Sequence, residues 1–434
     1  MNTRRNRIAT PLAWLALLVG VAVASGNLAA QTPPAKYTAA ERAMYMTASA
    51  EKDPQAKIKQ LDAFVAQYPT SALLNYAYND YWQAYAALHQ YGKVIDYLDK
   101  LLALQDIDAA TRLEAQYRRA ATFEYAFNAN SLDLAAGSTK ARDAALEGMK
   151  ILSAFQKPAQ ATDEQWAGIK KQYSVQFTNT AASASYYLKD YKAAAQYYHD
   201  ALVLDPTQAV DDYRMGLSDL RETPPQSIAG FWALARAVDL KVPDADKVTK
   251  FLHDKINEYQ QPGCEASVDP QIKDLLALAQ NSVDPPATFS IPSAADLAKK
   301  RESANIQTVL ADLKAGGDNG KLTWLAVCSG EFPEALAKAY EVNAAATDAI
   351  TMKAAVGTTE EELNASTAPN SDLKLGAQPE AARLEKDSIF RFSGKLTGYT
   401  ADPFNLKWEN VKVNPEDIPE EKGKKPAKRP GKKP

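Results

Sequence analysis

The stretch Tyr191-Lys-Ala-Ala194-Ala-Gln-Tyr-Tyr198-His-Asp-Ala201-Leu-Val-Leu-Asp-Pro206 decides how the middle of this chain folds. Its apolar residues recur three and four apart, which on a 3.6-residue helix gathers them into one stripe, and Asp205-Pro206 ends the run. Counted from Val175, the small residues Ala182, Ala194 and Ala201 stand at positions 8, 20 and 27, where the two helices of a hairpin touch most closely. A second unit starts 34 residues later at Ala209 and puts Gly216, Ile228, Trp232 and Ala235 at positions 8, 20, 24 and 27. A fixed period of this kind indicates stacked units whose apolar faces are covered only by their neighbours.

An earlier unit from Asn75 has Tyr78, Tyr81 and Tyr85 on its first helix and Tyr91-Gly-Lys-Val94-Ile-Asp-Tyr97-Leu98-Asp-Lys-Leu101 on its second. This pattern resembles the tetratricopeptide-repeat family, whose helix-turn-helix unit carries small residues at 8, 20 and 27, aromatics at 11 and 24 and proline at 32. The chain departs from that pattern at Trp82 and Leu101, where small residues belong, at Ser185 and Asp219, where an aromatic belongs, and at the displaced Pro243. Ala39 to Ala50 and Gln55 to Gln67, closed by Tyr68-Pro69-Thr70-Ser71, form a further divergent unit. Between Ala109 and Ser174 the spacing is irregular, and Gly137-Ser138 is expected to break the chain before a helix from Lys140 to Phe155. The resemblance covers roughly half the chain.

Outward from the repeats, the 434 residues exceed what one core organises, and 46% hydrophobic with 24% charged residues are the values of a folding, water-facing chain. The fold class expected is multidomain and mainly α: a TPR-like helical-hairpin superhelix over 38–282, a helical connector over 285–330, and a small β-barrel-like, OB-like domain over 331–415. The barrel rests on alternating segments at Ala337 to Asn343, Ala349 to Val356, Asp372 to Leu375, Ile389 to Tyr399 and Phe404 to Val413, with a helical turn at Glu360 to Asn364. Arg4, Arg5 and Arg7, an apolar run from Pro11 to Ala24 and Leu28-Ala29-Ala30 describe a signal peptide over 1–30. The run is shorter than the roughly 20 residues of a membrane span, so no stable span is expected after cleavage, and the location expected is periplasmic or secreted. An oxidising compartment permits Cys264 and Cys328 to pair, although spacing alone leaves a disulfide and two independent thiols equally open. Residues 416–434 form a basic tail, with Lys422, Lys424, Lys425, Lys428, Arg429, Lys432 and Lys433 among Pro and Gly.

Chemistry is harder to place. His89, His199 and His253 are far apart and join no His-Glu-x-x-His or Cys-x-x-Cys spacing, so no metal is assigned. Glu360-Glu361-Glu362 and Glu420-Glu421 are solvated runs, and Ser303 and Ser388 lack a nucleophile context. Gly316-Gly317-Asp318-Asn319-Gly320-Lys321 has Leu322 where a phosphate loop needs Ser or Thr. No catalytic residue and no cofactor is therefore assigned, and the chain is expected not to be an enzyme.

The resemblance implies a binding surface instead. The family lines its inner face with first-helix positions that fall here on Tyr76, Asn79 and Gln83, on Gln176, Asn179, Tyr186 and Tyr187, and on Tyr213 and Arg221. Such a lining suits an extended peptide or a partner helix, which makes a protein partner the first expectation. The alternative is a cell-envelope structural factor that meets anionic lipid or cell-wall polymer through the basic tail and the β-domain. Lys395, Arg391 and Lys407 beside Phe392, Tyr399, Phe404 and Trp408 give that domain a basic and aromatic set, but a net charge of -3 and export argue against nucleic acid, and Phe392, Phe404 and Trp408 are assigned to its core.

Overall fold

The computed structural model describes residues 36–128, 134–261, 263–343 and 350–420. The signal expected over 1–30 and the basic residues from Lys422 onward lie outside them. The described residues fall into two compact units, 36–246 with 278–285, and 247–277 with 286–420.

The first unit is helical throughout. Its elements are α1 (Ala39–Ala50), α2 (Pro54–Gln67), α3 (Leu74–Ala87), α4 (Tyr91–Ala103), α5 (Ala109–Asn128), α6 (Leu134–Ala154), α7 (Asp163–Tyr187), α8 (Tyr191–Leu204), α9 (Ala209–Asp219) and α10 (Ser227–Asp239). Local chemistry starts several of them. Thr38 with Glu41 and Thr162 with Gln165 close capping boxes on α1 and α7, and Asp53 followed by Pro54 caps α2. Each helix packs on its neighbours in sequence, and α5 also packs on α7. Ala182 and Ala194 are fully buried in one cluster with Tyr198, Leu202, Met215 and Ala233, so the small residues do sit at the helix crossings.

Two local expectations are corrected. Gly137 and Ser138 do not break the chain; both are buried inside α6, where Ser138 Oγ donates back to Leu134 O at 2.6 Å. Small size serves close packing there, and the hydroxyl finds its acceptor within the helix. In the last hairpin the close contact is made by Gly216 and Gly230 rather than by Gly216 and Ile228, because a Cβ at Gly216 would stand 2.9 Å from Gly230 O. The connection 220–226 is longer than 188–190, which slides α10 along by part of a turn.

The second unit holds most of α11 (Ala245–Gln260) and α12 (Val268–Ala279), then α13 (Ala294–Ser303), α14 (Ile306–Ala315) and α15 (Gly317–Val327). Five strands follow: β1 (Glu331–Asn343), β2 (Thr351–Gly357), β3 (Ser371–Leu375), β4 (Ile389–Ala401) and β5 (Phe404–Val413), with α16 (Glu360–Ala365) between β2 and β3. They close in the order β1-β2-β3-β5-β4, with β3 parallel to β5 and the other pairs antiparallel, a Greek-key barrel of OB type. Phe390, Phe392, Leu396, Leu406 and Trp408 fill it, and Leu297, Val309, Leu313 and Leu325 from α13, α14 and α15 join the same core. Tyr399 OH fastens that seam by donating to Leu313 O at 2.7 Å. Residues 247–277 belong here for covalent and polar reasons: Cys264 is disulfide-bonded to Cys328, Trp324 Nε1 donates to Ser267 Oγ at 2.9 Å, and Gln260 Nε2 donates to Pro292 O at 3.2 Å. No helix among the described residues is long and apolar enough to cross a membrane.

Candidate functional site

The residues assigned from the repeat pattern fall into three groups, all within the helical unit. On α3, Tyr76 is 54% exposed and tilts against Tyr45 with centroids 6.2 Å apart, Gln83 is exposed, and Asn79 Oδ1 accepts from Trp82 Nε1 at 2.8 Å. Around the end of α7, the Arg221 guanidinium lies 5.1 Å from the Tyr186 ring centre and 5.9 Å from that of Tyr191, while Tyr187 meets Tyr186 edge-on. Tyr213 is half-buried on α9.

The third group is the one with a cavity. Gln176 and Asn179 line an open depression of about 340 Å³, together with Tyr117 from α5, Gly168, Lys171 and Gln172 from the first half of α7, and Asp205 after α8. Tyr117 and Tyr173 stack beneath it at 4.2 Å. Gln172 Nε2 donates to Tyr117 OH at 3.1 Å, and Tyr173 OH donates to Glu114 Oε2 at 2.5 Å, with Arg118 paired to Glu114 at 2.6 Å. Burial raises the phenol pKa values of Tyr117 and Tyr173, and for Tyr173 the Glu114 carboxylate adds to it, so both remain hydroxyl donors. At the other end, Asn179 Nδ2 donates to Asp211 Oδ2 at 2.9 Å, while Asn179 Oδ1 is buried with no donor among the described residues.

Next to this end lies a polar layer that joins four helices. Arg214 on α9 donates to Glu124 of α5 at 2.7 Å and to Ser183 of α7 at 3.1 Å, and Ser183 lies 3.1 Å from Tyr198 OH of α8. Burial by itself would lower the Arg214 pKa, but Tyr198, Glu124 and Asp211 outweigh it and hold the guanidinium above its ordinary value. Burial is also the chief reason that the Tyr198 phenol rises to about 12. Further along the unit, Asp212 is fully buried against Arg236, whose Nε donates at 3.0 Å; burial nevertheless lifts the Asp212 carboxyl to about 6. Asp219 rises to about 7 through burial and the nearby Glu222, with His199 opposing.

The repeat pattern could not point to Tyr117, Lys171, Gln172 or Asp205. Tyr117 lies in the irregular stretch, and Gly168 to Gln172 precede the matched unit, on turns that lengthen α7 beyond a repeat helix. Amide spacing on one helical face, Gln172, Gln176 and Asn179, was the available signal.

On the barrel, Phe392 and Trp408 are buried and Phe404 half-buried. Arg391 is committed to Asp417 at 2.8 Å and Glu416 at 3.2 Å. A second depression of about 340 Å³ lies over the row Glu341, Lys353, Asp372 and Lys407, which are cross-strand partners in that order and alternate in sign. Among the described residues no group of three or more His, Cys, Asp or Glu side chains could hold a metal ion. His199 Nε2 lies 3.0 Å from Asp284, His253 lies 3.5 Å from Asp254, and His89 Nδ1 lies 3.0 Å from Tyr91 OH. No protein-family model matches this chain, and no match to it is found among curated proteins.

Proposed function

We propose that the protein is an exported scaffold of the tetratricopeptide-repeat kind that holds a partner polypeptide on its helical unit. The observation that carries this reading is the depression between α5 and α7, where Gln176 and Asn179, which the family resemblance places on the inner face, line a cavity with Tyr117 and Gln172. Amide and phenol groups suit the backbone and side chains of another chain, and the stacked Tyr117 and Tyr173 give a rigid floor. The signal-like residues 1–30 and the Cys264–Cys328 bridge both fit an oxidising compartment outside the cytoplasm.

A photo-crosslinking residue at Gln176, in whole cells, tests it. A defined protein should be captured there and not from the same residue at Lys395 on the barrel; equal capture from both positions, or none from Gln176, would end the reading. The barrel row alternates in sign, so attraction to an anionic lipid or polymer rests on the bases from Lys422 to Lys433. Retention in the envelope that disappears above roughly 0.5 M salt, where screening shortens to a few ångströms, would favour that second role.

A further inference from the structure

The chain from Leu278 to Pro285, the end of α12 and the segment after it, belongs to the helical unit. Side chains of α10 hold this strap by its backbone. Arg236 Nη1 donates to Ala279 O at 3.2 Å and to Ser282 O at 2.7 Å, and Trp232 Nε1 donates to the same Ser282 O at 3.1 Å. Gln280 Nε2 donates to Asp239 Oδ1 at 3.2 Å, and Val283 packs on the cluster of Ala182, Ala194, Tyr198 and Met215. A guanidinium keeps its charge at every pH a protein meets, and a carbonyl has none to change, so the Arg236 end of the strap is fastened permanently. Asp212 meets Arg236 at Nε, not at the Nη1 that holds the strap.

The Asp284 end is held differently. His199 Nε2 on α8 lies 3.0 Å from Asp284 Oδ1 and 3.2 Å from Oδ2. The other ring nitrogen, Nδ1, is buried with no hydrogen-bond partner among the described residues, and Asp200 Oδ1 stands 3.7 Å from it while accepting from Gln196 Nε2. In a neutral imidazole one nitrogen carries the proton and the other a bare lone pair. If Nε2 donates to Asp284, the lone pair of Nδ1 faces Asp200; if Nδ1 carries the proton, the lone pair of Nε2 faces Asp284. Only the imidazolium presents an N–H to both carboxylates.

The other surroundings of the ring are acidic too. Asp219, at the end of α9, acts on it, with Glu222 nearby; burial and Glu222 raise the Asp219 carboxyl to about 7, and His199 opposes the rise. The ring makes no hydrogen bond or ion pair with α7 among the described residues. His199 thus faces Asp284 on the strap, Asp200 on its own helix and Asp219 on α9. Arg236, the cation that grips the strap, is committed to Asp212 and to backbone carbonyls.

We propose that residues 278–285 form a pH-sensitive clasp: a proton taken up by His199 draws Asp284 in and tightens the strap over Trp232, and loss of that proton loosens the Asp284 end while Arg236 keeps the other. The charge-assisted contact is made only by the protonated ring, so its contribution is present on the acid side of the range in which imidazoles titrate and is lost as pH rises through it. The His199 side chain is 30% exposed and that of Asp284 68%, so solvent screens the pair and the clasp tightens by a small factor.

The test follows solvent exchange of the Trp232 indole proton, which the strap covers through Ser282 O, by NMR in the full-length chain at about pH 5.5 and about pH 8, corrected for the intrinsic pH dependence of exchange. The proton should be about threefold better protected at the acid pH. Asp284→Asn and His199→Gln should each abolish that difference, Asp219→Asn should leave it in place, and roughly 1 M salt should shrink it. Equal protection at both pH values in the unaltered chain overturns the proposal. So does a difference that survives in both Asp284→Asn and His199→Gln, because the response then belongs to the buried carboxyls of α9 and not to the strap.

Discussion

Between the helices of the first unit, alanines at the crossings and polar pairs share the space with large apolar side chains such as Phe64, Leu98, Phe177 and Trp232, whereas the barrel interior is filled by Phe390, Phe392, Leu396, Leu406 and Trp408. The helical layers are held by Tyr81 on Asp62, Tyr173 on Glu114, Arg214 on Glu124 and Arg236 on Asp212. Buried carboxyl groups such as Asp212 and Asp219 tie the helical layers to pH. The barrel rests on its apolar core. The two units should therefore fail for different reasons, and each of the following measurements can break that distinction.

The largest effect is expected in the barrel. Trp408 is 1% exposed and packs edge-on against Phe332 and Phe392. Trp408→Ala should cost about 3–5 kcal/mol, read as early loss of amide protection in β4 and β5 under denaturant. A cost below 1 kcal/mol would mean that the barrel interior is not the close-packed core described. The Cys264–Cys328 bridge comes next, since it closes 64 residues of sequence within the same unit. Cys264→Ser with Cys328→Ser should cost about 2–4 kcal/mol in the unit that contains the barrel, and protection in α3 and α4 should not change. If those helices loosen equally, the two units are not independent in stability.

Acidification should act on the two units in different pH windows. Asp212 and Asp219 have folded values of about 6 and 7 against an ordinary 3.8. The folded state thus binds their protons more tightly than the unfolded chain, so the helical unit gains stability as pH falls from about 7 towards 4. In the barrel unit, hydrogen bonding from Arg391 holds Asp417 below its ordinary range, and hydrogen bonding from Lys300 does the same for Asp312. Their contribution is present above the unfolded value and is lost as pH falls through the folded one, below about 4. Between pH 7 and 5 the helices α9 and α10 should gain about 1–3 kcal/mol of protection while β4 and β5 stay level. Asp219→Asn should remove part of that gain. A parallel response of both units would show that the buried carboxyls of the helical unit are not what the layers depend on.

The contrast also explains which features are legible in the sequence. Ala182 and Ala194 were legible because close approach admits only small side chains, and the alternation of β4 and β5 was legible because one face of each meets an apolar core. The start of β1 was not: Pro333 stands in it, and the register slips between Phe332 and Ala335, so pairing begins at Glu331 without the alternation that marks a strand. Gly137-Ser138 misled because the same small residues serve turns and tight helix contacts. Of the site, Gln176 and Asn179 followed from the inner-face positions that the family resemblance implies. Tyr117 and Asp205 depend on which helices meet, and the irregular stretch before Ser174 carries no period from which that could be inferred.

The smallest effect compares glycines. A Cβ at Gly216 would stand 2.9 Å from Gly230 O and equally close to Leu234 Cγ, and a helical carbonyl cannot swing aside. In the barrel, a Cβ at Gly394 would meet the buried Val411 Cγ2 at 3.1 Å, a side chain rather than backbone. Gly216→Ala gains up to about 1 kcal/mol of helix propensity but forces two helices apart, a strain of about 1–3 kcal/mol, so a net loss is expected. Gly394→Ala, with only a side chain to displace, should change stability by less than about 1 kcal/mol. Thermal unfolding of both variants distinguishes the cases. If Gly216→Ala is instead stabilising, the helices of the last hairpin have room that the Gly216 and Gly230 contact denies them, and the thin layers of the helical unit are not set by close backbone approach.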